Sequence, residues 1–181
     1  VILATGMMDE QPLIQGSIRP VLPYANGQTI IYCSLCDGHR CADKNTVVIG
    51  YSESALSLAK TLSQKYPLKS ITILTNGHQP QFTAPQSISV VTSPIIEVLG
   101  NKELKQLSGF QLENNQMVPA EIAVVALGIR PNNSLALQLG AKVDEKGLVI
   151  ADPSGETSVP NLFVIGDLRS NSMKQIYTAW Q

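Results

Sequence analysis

Residues 45–75 carry the pattern that most restricts how this chain can fold. Asn45-Thr46-Val47-Val48-Ile49-Gly50 is a nearly unbroken apolar run of strand length. From Ser52 to Tyr66, the residues Ala55, Leu58, Ala59, Leu62 and Tyr66 fall on one stripe of a helix, and Pro67 stops it. Ser70-Ile71-Thr72-Ile73-Leu74-Thr75 is a second strand, and Asn76-Gly77 turns the chain. A strand, a helix and a strand in this order place the two strands parallel, because antiparallel neighbours need no such crossover. The fold class expected is therefore α/β, built on a βαβ unit with a parallel sheet.

The other segments extend that plan. Val1 to Ala4 is a short strand ending at Thr5-Gly6, and Met7 to Gly27, with Pro12, Pro20 and Pro23, reads as an irregular connection. Thr29-Ile30-Ile31-Tyr32 is rich in β-formers. From residue 88 the period drops toward two, and Ile88–Val91, Ile95–Leu99, Leu107–Leu112 and Met117-Val118 read as short strands, with Asn114-Asn115 as a hairpin turn. Ile122 to Leu127 reads as a central strand, and Ser134 to Leu139 as a helical turn. Leu148-Val149-Ile150 and Asn161–Ile165 read as strands, and a helix is expected from Met173. Both ends look cut, as if the chain were a fragment of a longer protein.

Composition excludes several classes. Among 181 residues, 44% are apolar and the net charge is −1, which supports a real core and gives no electrostatic case for nucleic acid or an anionic membrane surface. No apolar run reaches the roughly 18 residues of a membrane span. Three cysteines, two of them in one Cys-x-x-Cys, suit a reducing cytoplasm better than a disulfide-stapled secreted domain.

That pair lies in Tyr32-Cys33-Ser34-Leu35-Cys36-Asp37-Gly38-His39. If a helix starts here, Cys33 and Cys36 share a face. A helix N-terminus favours the thiolate, which is the attacking species in disulfide exchange. Asp37 could carry a proton to or from a leaving thiolate. Three readings stand side by side: a redox-active pair, a structural disulfide, and half of a zinc site. So short a loop stabilises little. Zinc would need Cys41, His39 or His78 at an unusual spacing. The redox pair is the reading the residues favour, with no metal.

Gly50-Tyr51-Ser52-Glu53-Ser54-Ala55 occupies the position where a dinucleotide pyrophosphate binds a strand–turn–helix. Against Gly-x-Gly-x-x-Gly/Ala it keeps Gly50 and Ala55 but has Ser52 in place of the middle glycine, and Glu53 adds negative charge where phosphates would arrive. The second strand ends in Thr75-Asn76-Gly77-His78, without the acid that binds a ribose or the arginine that binds a 2′-phosphate. No arginine occurs between Arg40 and Arg130. Gly50, Ser52, Ser54 and Ala55 thus form at best a weak NAD(P) site, and NADP is a doubtful cofactor.

Taken together, the chain resembles the thioredoxin reductase-like branch of the FAD-dependent disulfide oxidoreductases along nearly its whole length. Val1–Gly6 is similar to that family's strand ending in Ala-Thr-Gly. Cys33-Ser34-Leu35-Cys36-Asp37-Gly38 is similar to its Cys-x-x-Cys-Asp-Gly redox centre. Leu127-Gly128-Ile129-Arg130-Pro131-Asn132 resembles the Gly-x-x-Pro-Asn return to the FAD domain. Phe163–Asp167 followed by Met173–Ala179 resembles the second FAD motif.

The resemblance implies a Rossmann-like FAD/NAD(P)-binding domain with a parallel sheet and a small antiparallel sheet, plus part of a second, FAD-binding domain. Residues 1–12 would be FAD-domain strand and linker, 13–128 the NAD(P)-binding-like domain, and 129–181 the C-terminal part of the FAD domain. It implies that Cys36 exchanges electrons with FAD, that Cys33 reacts with the partner's sulfur, and that Asp37 moves the proton. Thr5, Gly6, Gly166, Asp167, Lys174 and Gln175 would contact FAD. The family's segment with its own ADP loop is not in this sequence, so the chain alone is expected to hold FAD poorly. The implied partners are a thioredoxin-like protein or a small dithiol or disulfide, with ferredoxin or oxygen as electron partner in branches that do without NADPH, and the full-length form is expected to be a homodimer. A non-catalytic redox-sensing or binding module on the same fold is the competing reading.

Overall fold

The structure is a computed structural model that describes residues 1–172 and residue 174. Two compact units form, one from Val1–Glu10 with the chain from Ile129 onward, the other from Gln11–Gly128. The first unit opens with strands β1 (Ile2–Leu3) and β2 (Met7–Asp9). The second unit begins with helix α1 (Leu22–Asn26), strand β3 (Ile30–Ile31) and the single-turn helix α2 (Ser34–Asp37). It continues with β4 (Asn45–Ile49), α3 (Glu53–Lys65), β5 (Ser70–Leu74) and β6 (Ser89–Val91). Strands β7 (Ile95–Asn101), β8 (Gln106–Leu112), β9 (Met117–Pro119) and β10 (Ile122–Val125) complete it. The first unit resumes with β11 (Ile129–Pro131), α4 (Ser134–Gln138) and β12 (Phe163–Val164).

The second unit is an α/β layer structure. Its five-stranded sheet has the order β3-β10-β4-β5-β6, with every neighbouring pair parallel. The apolar runs of β4 and β10 are continuous because both faces of the sheet are covered, and the strand period of two sorts them. Val47, Ile49, Leu74, Ala123 and Val125 point into one core with Tyr24 of α1 and with Ile95, Val98, Leu107, Phe110 and Leu112 of the antiparallel sheet β7-β8-β9. Val48, Ile73, Ile122 and Val124 point into the other, against Ala55, Leu56, Ala59 and Leu62 of α3. Each fully buried Val, Leu or Ile side chain contributes about 1.5–3 kcal/mol relative to exposure. In the first unit β1 pairs parallel with β12 and β2 pairs antiparallel with β11, and Leu3, Ala136, Val149, Leu162, Val164 and Leu168 form its core.

Several expectations need correcting in detail. The short strand read at Ile88–Val91 begins at Ser89 and, as β6, extends the parallel sheet beside β5. The stripe of α3 is rotated, with Leu56 buried and Leu58 only partly so, and Tyr66 is the residue after the helix rather than part of it. Met7 to Gly27 is not wholly irregular. Met7–Asp9 find a ladder partner far along the chain, and Pro23 sits in the first turn of α1, where a missing N–H costs nothing. Leu148–Ile150 form isolated bridges through Val149 instead of a strand. The hairpin at Asn114-Asn115 is present, with Asn115 at φ +65°. The helix expected from Met173 lies outside the described residues.

Candidate redox site

The disulfide turn is built by the end of β3. Ala123 of β10 donates its N–H to the carbonyl of Thr29, which fixes the entering strand, and the Tyr32 hydroxyl donates to Gln11 Oε1 at 2.6 Å. Cys33 then adopts extended backbone and caps α2, its Sγ accepting the N–H of Cys36 at 3.2 Å. Cys33 and Cys36 are joined as a disulfide with their Cα atoms 5.3 Å apart, within the ordinary range for such a bridge. The sequence places a helix N-terminus here, and the structure makes that helix one turn long. Its dipole is correspondingly small, so the single N–H of Cys36 is the local source of positive potential at the Cys33 sulfur.

The turn is open to solvent. Leu35 is 76% exposed, Cys36 is exposed and Cys33 half-buried. The Asp37 N–H donates to the Cys33 carbonyl at 2.9 Å, so backbone ties the carboxylate-bearing residue to the disulfide turn. Arg40 Nε donates to Asp37 Oδ1 at 3.1 Å, and the other end of that guanidinium donates to Gln28 Oε1. Sequence reasoning missed Arg40, although its spacing of three from Asp37 was the signal available.

Cys41 is different in kind from the pair. It is fully buried among Ile31, Val48, Ile122 and the apolar face of α3. Burial pushes its thiol above its ordinary value, opposed by a hydrogen bond with Thr46 and the charge of Lys44. His39 is exposed, and His78 stacks on Tyr51 with ring centroids 4.3 Å apart. Among the described residues, no three His, Cys, Asp or Glu side chains gather in a way that could hold a metal ion.

The Gly50 turn is shaped by packing. A Cβ on Gly50 would sit 2.6 Å from the Ala126 carbonyl oxygen and 2.8 Å from Ala55 Cβ, so glycine is required for β4, β10 and α3 to meet. Ser52 makes no side-chain cap bond, and Glu53 and Ser54 are exposed at the start of α3. The segment after β5 is tied across this turn: Gln81 N–H donates to the Tyr51 carbonyl at 2.8 Å, and the Thr75 hydroxyl donates to the His78 carbonyl. Tyr51 of this turn stacks on His78, Glu53 puts an acid in the first turn of the helix, and none of Gly50–Ala55 carries a cation.

The residues expected to meet FAD lie in the first unit. Thr5 donates its hydroxyl to the Asn132 carbonyl at 2.6 Å, and Asn132 Nδ2 returns a bond to the Thr5 carbonyl at 2.8 Å. Nothing lies within 4 Å of a Cβ built on Gly6. Gly166, at φ +68°, turns the chain out of β12, and Asp167 makes no side-chain hydrogen bond among the described residues. Lys174 Nζ donates to the Arg169 carbonyl and to Ser172 Oγ. Burial lowers its pKa, with Asp167 and Asp144 acting the other way and Lys146 adding to the lowering. Asp167, a carboxylate with no side-chain hydrogen bond among the described residues, thus follows a glycine turn, and the space at Gly6 is open. Gln175 lies outside the described residues.

A disulfide on an exposed one-turn helix, ahead of a βαβ unit, defines a thiol–disulfide chemistry on a dinucleotide-binding type of fold. The pyridine nucleotide-disulphide oxidoreductase family matches residues 1–181, and the chain belongs to that family. Thioredoxin reductase of Mycoplasmopsis pulmonis is 28% identical over 192 residues, covering 99% of this chain and 59% of that protein. The chain therefore spans about three-fifths of the length of this relative. The crystal structure of thioredoxin reductase from Streptococcus pyogenes matches with a TM-score of 0.78 at 24% identity, over 98% of this chain and 60% of that one. A ferredoxin-flavin thioredoxin reductase from Clostridium acetobutylicum shares the fold at a TM-score of 0.53 and 20% identity, over 98% and 57% of the two chains. Among the described residues, no helix is long and apolar enough to cross a membrane.

Proposed function

We propose that this chain is the redox-disulfide part of an FAD-dependent thiol–disulfide oxidoreductase of thioredoxin reductase type, acting on a thioredoxin-like protein or another dithiol or disulfide. The observation that carries the reading is the Cys33–Cys36 disulfide on an exposed turn, with the Cys36 N–H aimed at the Cys33 sulfur and Asp37 held to the same turn. Thr5, Gly6, Gly166, Asp167 and Lys174, with Gln175, would hold FAD, which when bound supplies or takes up an electron pair.

The protein's own residues do the sulfur chemistry. In the reducing direction the Cys33 thiolate, stabilised by the Cys36 N–H, attacks a substrate sulfur and expels the first substrate thiolate. The Cys36 thiolate then attacks Cys33 Sγ and expels the second, which restores the disulfide. Asp37 delivers or accepts protons on the leaving sulfurs, and Arg40 holds its carboxylate in place. In the oxidising direction the same steps run backward on a dithiol. The electron partner is not a nicotinamide, a reading supported by Ser52 in place of the turn's middle glycine and by Glu53 at its edge. A ferredoxin-type donor or oxygen as acceptor suits the site instead.

In the FAD-loaded protein, Cys36→Ser leaves the flavin spectrum in place and abolishes disulfide turnover. Retained turnover would sink the assignment. Mixed anaerobically with NADPH, the wild-type flavin keeps its colour, whereas rapid bleaching would restore the nicotinamide role.

A further inference from the structure

Beside the disulfide turn runs a groove of about 490 Å³ lined by Ser34, Glu53, Ser54, Ser57, Leu58 and Thr61. Ser34 is the residue between Cys33 and Leu35, and the other five come from the outward side of α3, so one wall of the groove is the disulfide turn itself. The hydroxyls of Ser34, Ser54 and Ser57 and the carboxylate of Glu53 make no hydrogen bond or ion pair among the described residues. Only Thr61 is spent, its hydroxyl donating to the Ser57 carbonyl at 2.9 Å. The groove thus offers three uncommitted hydroxyls, one apolar side chain and a single charge, which is negative.

We propose that this groove receives the peptide segment flanking the substrate disulfide and that it prefers a basic segment. The inference rests on the reading that Cys33–Cys36 exchanges with a substrate, and it deepens that reading by naming a substrate class. Hydroxyls that both donate and accept match the alternating N–H and C=O groups of an extended peptide. Among the described residues Glu53 is the only charged one of the lining, so an incoming lysine or arginine gains attraction, and an acidic segment or an anionic small thiol meets repulsion. The chemical step is ordinary exchange. The Cys33 thiolate forms a bond to one substrate sulfur as the substrate S–S bond breaks. Cys36 then closes the protein disulfide, and the substrate leaves as a dithiol with the two electrons that the protein pair held.

The test needs no flavin. The protein is reduced, freed of reductant, and mixed with three probes in excess: a cyclic disulfide peptide flanked by lysines, the same peptide flanked by glutamates, and hydroxyethyl disulfide. Acid-quenched samples analysed by mass spectrometry give the rate at which Cys33–Cys36 re-forms. At low salt the lysine peptide should react about three- to fivefold faster than the glutamate peptide, the size expected of one exposed charge pair. The ratio should fall toward one in 0.5 M salt, in Glu53→Gln, and in Ser57→Lys, which places a cation one helical turn from Glu53 on an exposed position and cancels its charge. Equal rates for the two peptides, or a ratio untouched by Glu53→Gln and Ser57→Lys, overturn the inference alone, provided hydroxyethyl disulfide reacts. No exchange with any of the three overturns the functional reading and the inference with it.

Discussion

The turn from β3 into α2 and the turn from β4 into α3 flank the same strand, β10, and both lie at the carboxyl ends of parallel strands. In open α/β sheets that edge is where ligands bind. The first turn buries little of itself: its sulfurs bond to each other, its apolar residue Leu35 projects outward, and its bonds stay local, with the Cys36 N–H on the Cys33 sulfur and the Asp37 N–H on the Cys33 carbonyl. The second turn is committed to the fold. Gly50 is pressed between Ala126 and Ala55, and Tyr51 is engaged through its carbonyl by Gln81 and through its ring by His78. Equivalent places in one topology differ because the chain packs one turn against its own strands and leaves the other open to solvent.

Three substitutions test that contrast, in falling order of effect. Gly50→Ala forces a Cβ against a backbone carbonyl and should destabilise the second unit by about 1–3 kcal/mol, seen as an earlier urea midpoint. A neutral result would mean that the turn can relax, and that its glycine is kept for a ligand after all. Tyr51→Ala removes the stacked pair and should cost about 1 kcal/mol while leaving Cys33–Cys36 exchange unchanged. A matching loss of exchange would couple the two turns that the contrast separates. The smallest effect is a slope. The Cys41 thiol is raised by burial, so its contribution to stability is full below the ordinary value of 9.0 and is lost as the pH climbs above it, because the unfolded chain sheds that proton first. Cys41→Ala should flatten the fall in stability above pH 9, measured by urea titrations at pH 8 and pH 10. An unchanged slope would mean that Cys41 does not stay protonated in the fold.

The parallel sheet was legible because Val47–Ile49 and Ile122–Val125 are apolar on both faces, which few other structures tolerate. The disulfide turn was legible because its residues are contiguous. What escaped depends on partners distant in sequence. Met7–Asp9 become a strand only through Ile129–Pro131, and Ser89–Val91 join β5 rather than β7 by a choice made in tertiary packing. The departures of the nucleotide turn at Ser52 and Glu53 could be read in the sequence, whereas the Tyr51–His78 stack beside it could not, since no local pattern pairs residues 51 and 78. Arg40 on Asp37 and the groove along α3 were hidden for a related reason. Both consist of ordinary surface residues that gain meaning from the disulfide turn beside them.

The ladder between β2 and β11 pairs Asp9 with Ile129, so the whole of Gln11–Gly128 departs from and returns to adjacent rungs. From the side of the first unit, the second is one very long loop. Closing an unstructured loop of that length costs on the order of 4 kcal/mol beyond its constant part. A second unit that folds on its own brings its two ends together before the ladder forms, which removes most of that cost.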